Sequence, residues 1–131
     1  MERRAISPWP WGAYAGIVQA NEVTNPTSFL VCSGQAAVDE QMQTMYPGDM
    51  GRQITQAIDN AEAVLTAAGY TWADVIQINV FTTDVPLYLQ HFYLAKARFA
   101  DAGYWAAGTL LGVAALSAPD MLVQYQVMAV K

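Results

Sequence analysis

Apolar residues recur along this chain with two periods, and the switches between them outline its elements. Between residues 52 and 68, Ile54, Ile58, Ala61, Leu65 and Ala68 stand at helical spacing. Gln53, Gln56, Asp59, Asn60 and Glu62 take the other side. Asp49 precedes the run as a candidate cap, and Gly69 stands where a left-handed C-terminal residue belongs. A second stripe, Tyr88, Phe92, Ala95 and Phe99, follows Asp84 as its cap, with Pro86 in the first turn and Gly103 as its expected end. Between the helices, residues 71–74 (TWAD) carry the capping-box pattern of one short turn. Ile76, Ile78 and Val80 then alternate with Gln77 and Asn79 as a strand ending near Thr83.

Residues 15–23 and 28–38 read as two further strands, joined through Asn25-Pro26 into an antiparallel hairpin. Residues 39–51 form a loop with a Pro-Gly turn. Two strands close the chain, Thr109 to Leu116 and Met121 to Val130. In the last, Val123, Tyr125, Val127 and Ala129 alternate with Gln124, Gln126 and Met128. The order β-β-α-β-α-β-β over residues 1–131 predicts a single α+β domain, an α/β sandwich with two helices on one face of one mixed sheet. Its second face would be bare in one copy and is expected to pack against neighbouring subunits.

Composition sharpens that expectation. Hydrophobic residues make up 54% of the 131 and charged residues 13%, against about 25% charged in an ordinary domain. Association of copies hides the excess apolar surface. Six Lys and Arg face eleven Asp and Glu, a net charge of −5 with no basic cluster, which argues against nucleic acid as a partner. The one cysteine, Cys32, excludes an internal disulfide and a thiolate metal site, and fits a reducing cytoplasm. The N-terminal stretch lacks the apolar core of a signal peptide. Residues 102–119 carry no charge, yet their glycines, Pro119 and low Leu and Val content do not suit a membrane span. They read instead as a helix end, a site loop and a buried strand.

Four segments carry a resemblance. WGAYAG at 11–16, SGQAAVD at 33–39, TQAIDNAEAVLTAAGYTWADVIQINVFTTD at 55–84 and VQYQVMAV at 123–130 resemble the YjgF/Rid family, the reactive intermediate deaminases. The resemblance implies a chorismate-mutase-like fold and a homotrimer around a central barrel, with small molecules bound in three clefts between subunits. Active members hydrolyse enamines and imines and release ammonia, with no cofactor or metal. That chemistry needs a cation for the substrate carboxylate, for which the Arg fork is suited, and a carboxylate to orient water.

At those two points this chain departs from the pattern. The resemblance places Gly108, followed by Thr109, at the family's Arg, and Gln124 at the catalytic Glu. No Arg or Lys occurs between Arg98 and Lys131. Gln124 cannot act as a base, but it can hydrogen-bond a ligand or a water; otherwise it belongs to a polar sheet face. Tyr14 is the other candidate catalytic group, or else an interface aromatic. Ser33 and Gln35 are candidate substrate contacts, and Ser33 lacks the His and carboxylate support of a nucleophile. Phe92, at the family's cleft asparagine, and Trp105, ahead of Gly108, would line the site and favour a neutral or aromatic ligand. Trp9 and Trp11 are further candidates, against subunit packing. His91, on the second helix, reads as a surface residue or a base, and Cys32 as a packed thiol. These residues predict either a deaminase-like hydrolase without a carboxylate clamp or a non-catalytic binding, regulatory or chaperone-like member.

Overall fold

The computed structural model describes residues 1–100, 102 and 106–131. Among them, the central sheet has five strands in the order β3(Phe29–Val31), β7(Val123–Val130), β5(Val75–Thr82) and β6(Ala107–Gly112), with β4(Gln35–Ala36) also paired to β7. β5 and β6 run parallel, and β7 is antiparallel to β5, β3 and β4, so the sheet is mixed as predicted. α2(Met50–Ala67) and α3(Val85–Ala100) cover one face. This is the two-helix α+β sandwich that the sequence pattern predicts.

The local signals explain why these elements start and stop where they do. Asp49 caps α2 by accepting from the Arg52 N–H at 3.0 Å, and Gly69 takes the left-handed conformation just past its end, at φ 81°. Residues 72–74 form a single turn closed by the Thr71–Asp74 capping box. Asp84 accepts from the Leu87 N–H at 3.0 Å and starts α3. The Gly103 end of that helix lies outside the described residues. Arg98 ties the two helices together, at 2.7 Å from Asp59 and 2.5 Å from Glu62 on α2.

The N-terminal half departs from expectation. Residues 15–23 do not form one strand and do not pair with 28–38. The chain instead makes a short helix, α1(Gly12–Ala15), then β2(Ala20–Thr24), whose partner is β1(Glu2–Ile6) in a separate antiparallel pair. Arg3 clasps this pair to the main body through the carbonyls of Ala73 and Val75, at 2.6 and 2.7 Å. The stretch 28–38 splits at Cys32–Gly34 into β3 and β4, both on β7. The strand expected to start at Thr109 starts at Ala107 and ends at Gly112.

Gln53 is a second correction. It belongs to the polar side of the helical pattern, yet it is fully buried. Its amide donates to the carbonyls of Tyr46 and Asp120, and its Oε1 accepts from the Leu122 N–H, the last two contacts at 2.8 Å. One side chain thereby pins α2 to the entry of β7. On β7 the alternation holds: Val123, Tyr125, Val127 and Ala129 are buried under the helices, while Gln124 and Gln126 point the other way. The uncovered face also carries Phe29 and Val31, 62% and 69% exposed.

Gln53→Ala is expected to destabilise the fold by about 2–4 kcal/mol, because two carbonyls and one N–H lose their shared partner inside the core. Urea denaturation of the two proteins checks this; equal midpoints would show that the Gln53 contacts carry no weight.

Candidate functional site

A cavity of about 710 Å³ opens on the helix side of the sheet, where β6 leaves an edge that neither α2 nor α3 fully covers. α1 and the following turn form one wall with Trp11, Gly12, Tyr14, Ala15, Gly16, Ile17 and Val18. α3 forms the second with Tyr88, Leu89, Phe92, Lys96, Phe99 and Ala100. The base comes from Ile78 and Val80 of β5, Tyr125 of β7, and Gly108, Thr109 and Leu110 of β6. The volume lies in the ordinary range for small-molecule sites, and the wall is almost wholly apolar. α1 is held in place by Lys96, whose Nζ donates to the Tyr14 carbonyl at 3.2 Å, and by the Val18 N–H on the Ala106 carbonyl at 3.0 Å.

Of the residues singled out by sequence, the structure gathers Tyr14, Phe92, Gly108 and Thr109 around this cavity, with Trp11 beside them. Tyr14 is 81% exposed, so its ring stands at the mouth. Gln124, Ser33 and Gln35 are not among the lining residues. Gln124 sits on the reverse face of β7 from Tyr125, with its side chain against Gly34: a Cβ there would lie 2.6 Å from its Nε2. Gln35 pairs with Tyr125 on β4 and donates to the Ser33 carbonyl at 3.2 Å. Trp105 lies outside the described residues. Cys32 is a core residue, and burial pushes its thiol pKa up, which keeps it protonated near neutral pH. His91 faces a separate shallow groove with Tyr46, Asp49 and Arg52, its Nδ1 3.1 Å from the Leu87 carbonyl. Among the described residues, no group of three His, Cys, Asp or Glu stands where it could hold a metal, and no helix is long and apolar enough to cross a membrane.

Gly108 is held by more than the absence of a function. It pairs with Ile78 in the parallel β5–β6 ladder, and a Cβ at 108 would run into the Ile78 carbonyl oxygen, a backbone atom that cannot swing aside. The strands approach too closely here for any side chain.

Sequence reasoning missed two features of the cavity. Lys96 is the one charged side chain on its wall among the described residues; it follows Ala95 at the margin of the α3 stripe, where a lysine carries no sequence signal of a site. Tyr88 and Tyr125 fit the apolar pattern as ring fillers, which conceals that their hydroxyls meet at 3.0 Å inside the core. That both sit on core-facing positions was legible; that the two positions touch required the crossing of α3 over β7.

Gly108→Ala is expected to cost about 1–3 kcal/mol, the usual toll of overpacking, read as a lowered urea midpoint. An unchanged midpoint would show that the β5–β6 pair can open at no cost. Cys32 in the native protein is expected to react with Ellman's reagent at pH 8 far more slowly than free cysteine, becoming fast only in denaturant; prompt native labelling would contradict its burial.

Comparison with known proteins agrees with this architecture. The family model described as endoribonuclease L-PSP matches residues 9–131. A RutC family protein of Pyrococcus horikoshii is 33% identical over 79 residues, 60% of this chain and 58% of its own length. A RutC family protein of Aquifex aeolicus is 25% identical over 125 residues, 95% of this chain and 94% of its own. Among solved structures, the Rid family protein YyfB of Yersinia pestis, of unknown function, superposes over 100% of both chains at a TM-score of 0.88 and 27% identity. TdcF of E. coli, solved with bound serine, superposes at 0.71 and 26% identity, over 97% of this chain and 91% of its own. With its sheet order, its two helices and nearly its whole length accounted for, the chain belongs to the YjgF/Rid family, which includes the endoribonuclease L-PSP model.

Proposed function

We propose that this protein is a homotrimeric small-molecule-binding member of its family, and that its cavity takes an uncharged apolar or aromatic ligand. The observation that carries the reading is the cavity wall: Phe92, Ile78, Val80 and Leu110 around a backbone position, Gly108, that cannot accept the cation of a carboxylate clamp. A carboxylate moved into such a wall would lose its hydration with no cation fork to replace it.

The trimer belongs to the proposal, and the face of β7 supports it. Tyr125 borders the cavity while Gln124 lies on the reverse side, packed on Gly34. Within one copy Gln124 and Tyr125 face apart, so Gln124 and Ser33 contribute to a site by completing the cavity of a neighbour, whereas Gln35, in register with Tyr125, stays on the helix side of its own copy. Exposed Phe29 and Val31 on that same side supply apolar surface for the contact. In the reaction we propose, hydrolysis of an uncharged imine or enamine, Tyr14 and Gln124 hold the ligand and the attacking water, with Thr109 beside them. Water adds to the C=N carbon, and the nitrogen leaves as ammonia or amine. No cofactor takes part. A cytoplasmic setting is part of this reading.

Nucleic acid is not the partner proposed. All six Lys and Arg side chains are engaged with groups of the protein itself: Arg3 with two carbonyls, Arg4 with Glu22, Arg52 with Asp49, Lys96 with Tyr14, Arg98 with Asp59 and Glu62, and Lys131 with the Gly69 carbonyl. A second reading, a binding or regulatory member without turnover, is favoured by one residue: Gln124 offers no base.

2-Imino acids generated by an L-amino-acid oxidase are expected to decay at their uncatalysed rate beside this protein. Release of ammonia at the rate of an active relative would overturn the reading. Acetophenone imine separates the two versions: faster hydrolysis with protein supports the hydrolase, and a thermal shift without faster hydrolysis supports the binding member.

A further inference from the structure

The polar groups around the cavity differ in what they can still give a ligand. Tyr88 and Tyr125 are 2% and 0% exposed, and their hydroxyls meet at 3.0 Å, closed off in the core. Tyr14 stands at the mouth with its ring in solvent. Lys96 is different in kind. It is exposed, it borders the cavity, and it carries the one charge on the wall among the described residues.

Its side chain is held along its length. The stem leaves α3 and passes along Gly16, where a Cβ would come within 3.7 Å of its Cγ. The ammonium then donates to the Tyr14 carbonyl at 3.2 Å. An ammonium has three N–H groups, and that carbonyl takes one. Among the described residues, the other two have no protein partner. A flexible side chain held in place before a ligand arrives also lowers the ordering cost of binding.

What such a donor selects follows from its setting. Water lies on one side of it, and the hydrocarbon of Phe92, Leu89 and Ile78 on the other. A ligand with an acceptor at one end and an apolar body at the other satisfies both sides at once. A carboxylate gains little here. A single exposed ammonium is a point charge rather than a fork, and its pairing with an anion in water is weak. The net charge of −5 works against the approach of an anion as well. A neutral carbonyl or imine nitrogen sheds less water to reach the same N–H.

We infer that Lys96 is the polar anchor of the cavity: it donates to the carbonyl oxygen or imine nitrogen of a ligand at the mouth and so points the ligand's hydrocarbon toward Ile78 and Phe92. In an imine, the donated N–H draws electron density away from the C=N carbon, the atom that water attacks. This rests on the reading of the cavity as a site for an uncharged small molecule. It adds the residue that holds the ligand and the direction in which the ligand lies.

Acetophenone, ethylbenzene and benzoate, titrated into the ¹⁵N-labelled full chain and followed by NMR, test the two readings separately. Acetophenone is expected to bind about three- to fivefold more tightly than ethylbenzene, and benzoate more weakly than acetophenone. Lys96→Met is expected to remove the preference for acetophenone while ethylbenzene binds as before. Lys96→Arg, which keeps the donors, is expected to retain it. Because Lys96 also holds α1, a merely structural role would weaken acetophenone and ethylbenzene alike in Lys96→Met, and that outcome overturns the inference. In the wild-type protein, NOEs are expected from the Lys96 ε-methylene to the acetophenone methyl and from the Ile78 methyls to the para proton of its ring; the opposite order overturns the inference too. Equal binding of acetophenone and ethylbenzene by the wild type overturns the role of Lys96 and leaves the cavity reading standing. Binding of none of the three, or tightest binding of benzoate, overturns the cavity reading and this inference with it.

Discussion

The antiparallel pairing of β5 with β7 is the constraint on which the rest of the molecule depends. Through it Val80 lies opposite Tyr125 and Phe81 opposite Gln124. Because side chains alternate along a strand, a slip of one residue would exchange those two positions between the faces of the sheet. Tyr125 would leave the core, Gln124 would enter it, and the wall of the cavity would lose its base. Gln53 guards against such a slip from the other layer, since its amide reads three backbone groups of the loops that lead into α2 and β7. A single buried glutamine thus relates the helix layer to the strand register.

The cavity follows from an economy of covering. α2 spends its apolar face on β4, β7 and the core beneath them, and Arg98 holds α3 alongside. The β6 edge is left for α1, a helix of four residues held by one lysine contact and the turn after it. So slight a wall beside a rigid sheet gives a site whose base is fixed and whose mouth is built from the lightest part of the fold.

What could be read from the sequence was what neighbouring residues decide. Asp49, Asp84 and the Thr71–Asp74 box act within a few positions of themselves, and each works as its pattern says. The alternation of β7 is equally local. The N-terminal strands were misjudged because their partners are set by distance along the chain. Arg3, Arg4 and Glu22 give β1 and β2 a polar composition that hides a strand pair, and Arg3 finds its acceptors at Ala73 and Val75, some seventy residues on. Gln53 was misplaced for the same reason: a polar side chain reads as solvent-facing until its partners come from another loop. Around the cavity, Tyr14, Phe92 and Gly108 are the residues that motif and resemblance single out. The phenol contact and the reach of Lys96 depend on packing that no spacing encodes.

The close approach of β6 to the Ile78 carbonyl limits how this site can vary. A glycine in an open loop can take on a side chain without disturbing its neighbours. Gly108 does not have that freedom, because the space beside it is occupied by main chain. A variant with a side chain at 108 would need compensating changes that part the two strands. Variation can therefore reshape the aromatic lining of the cavity, while this backbone position stays closed to any side chain.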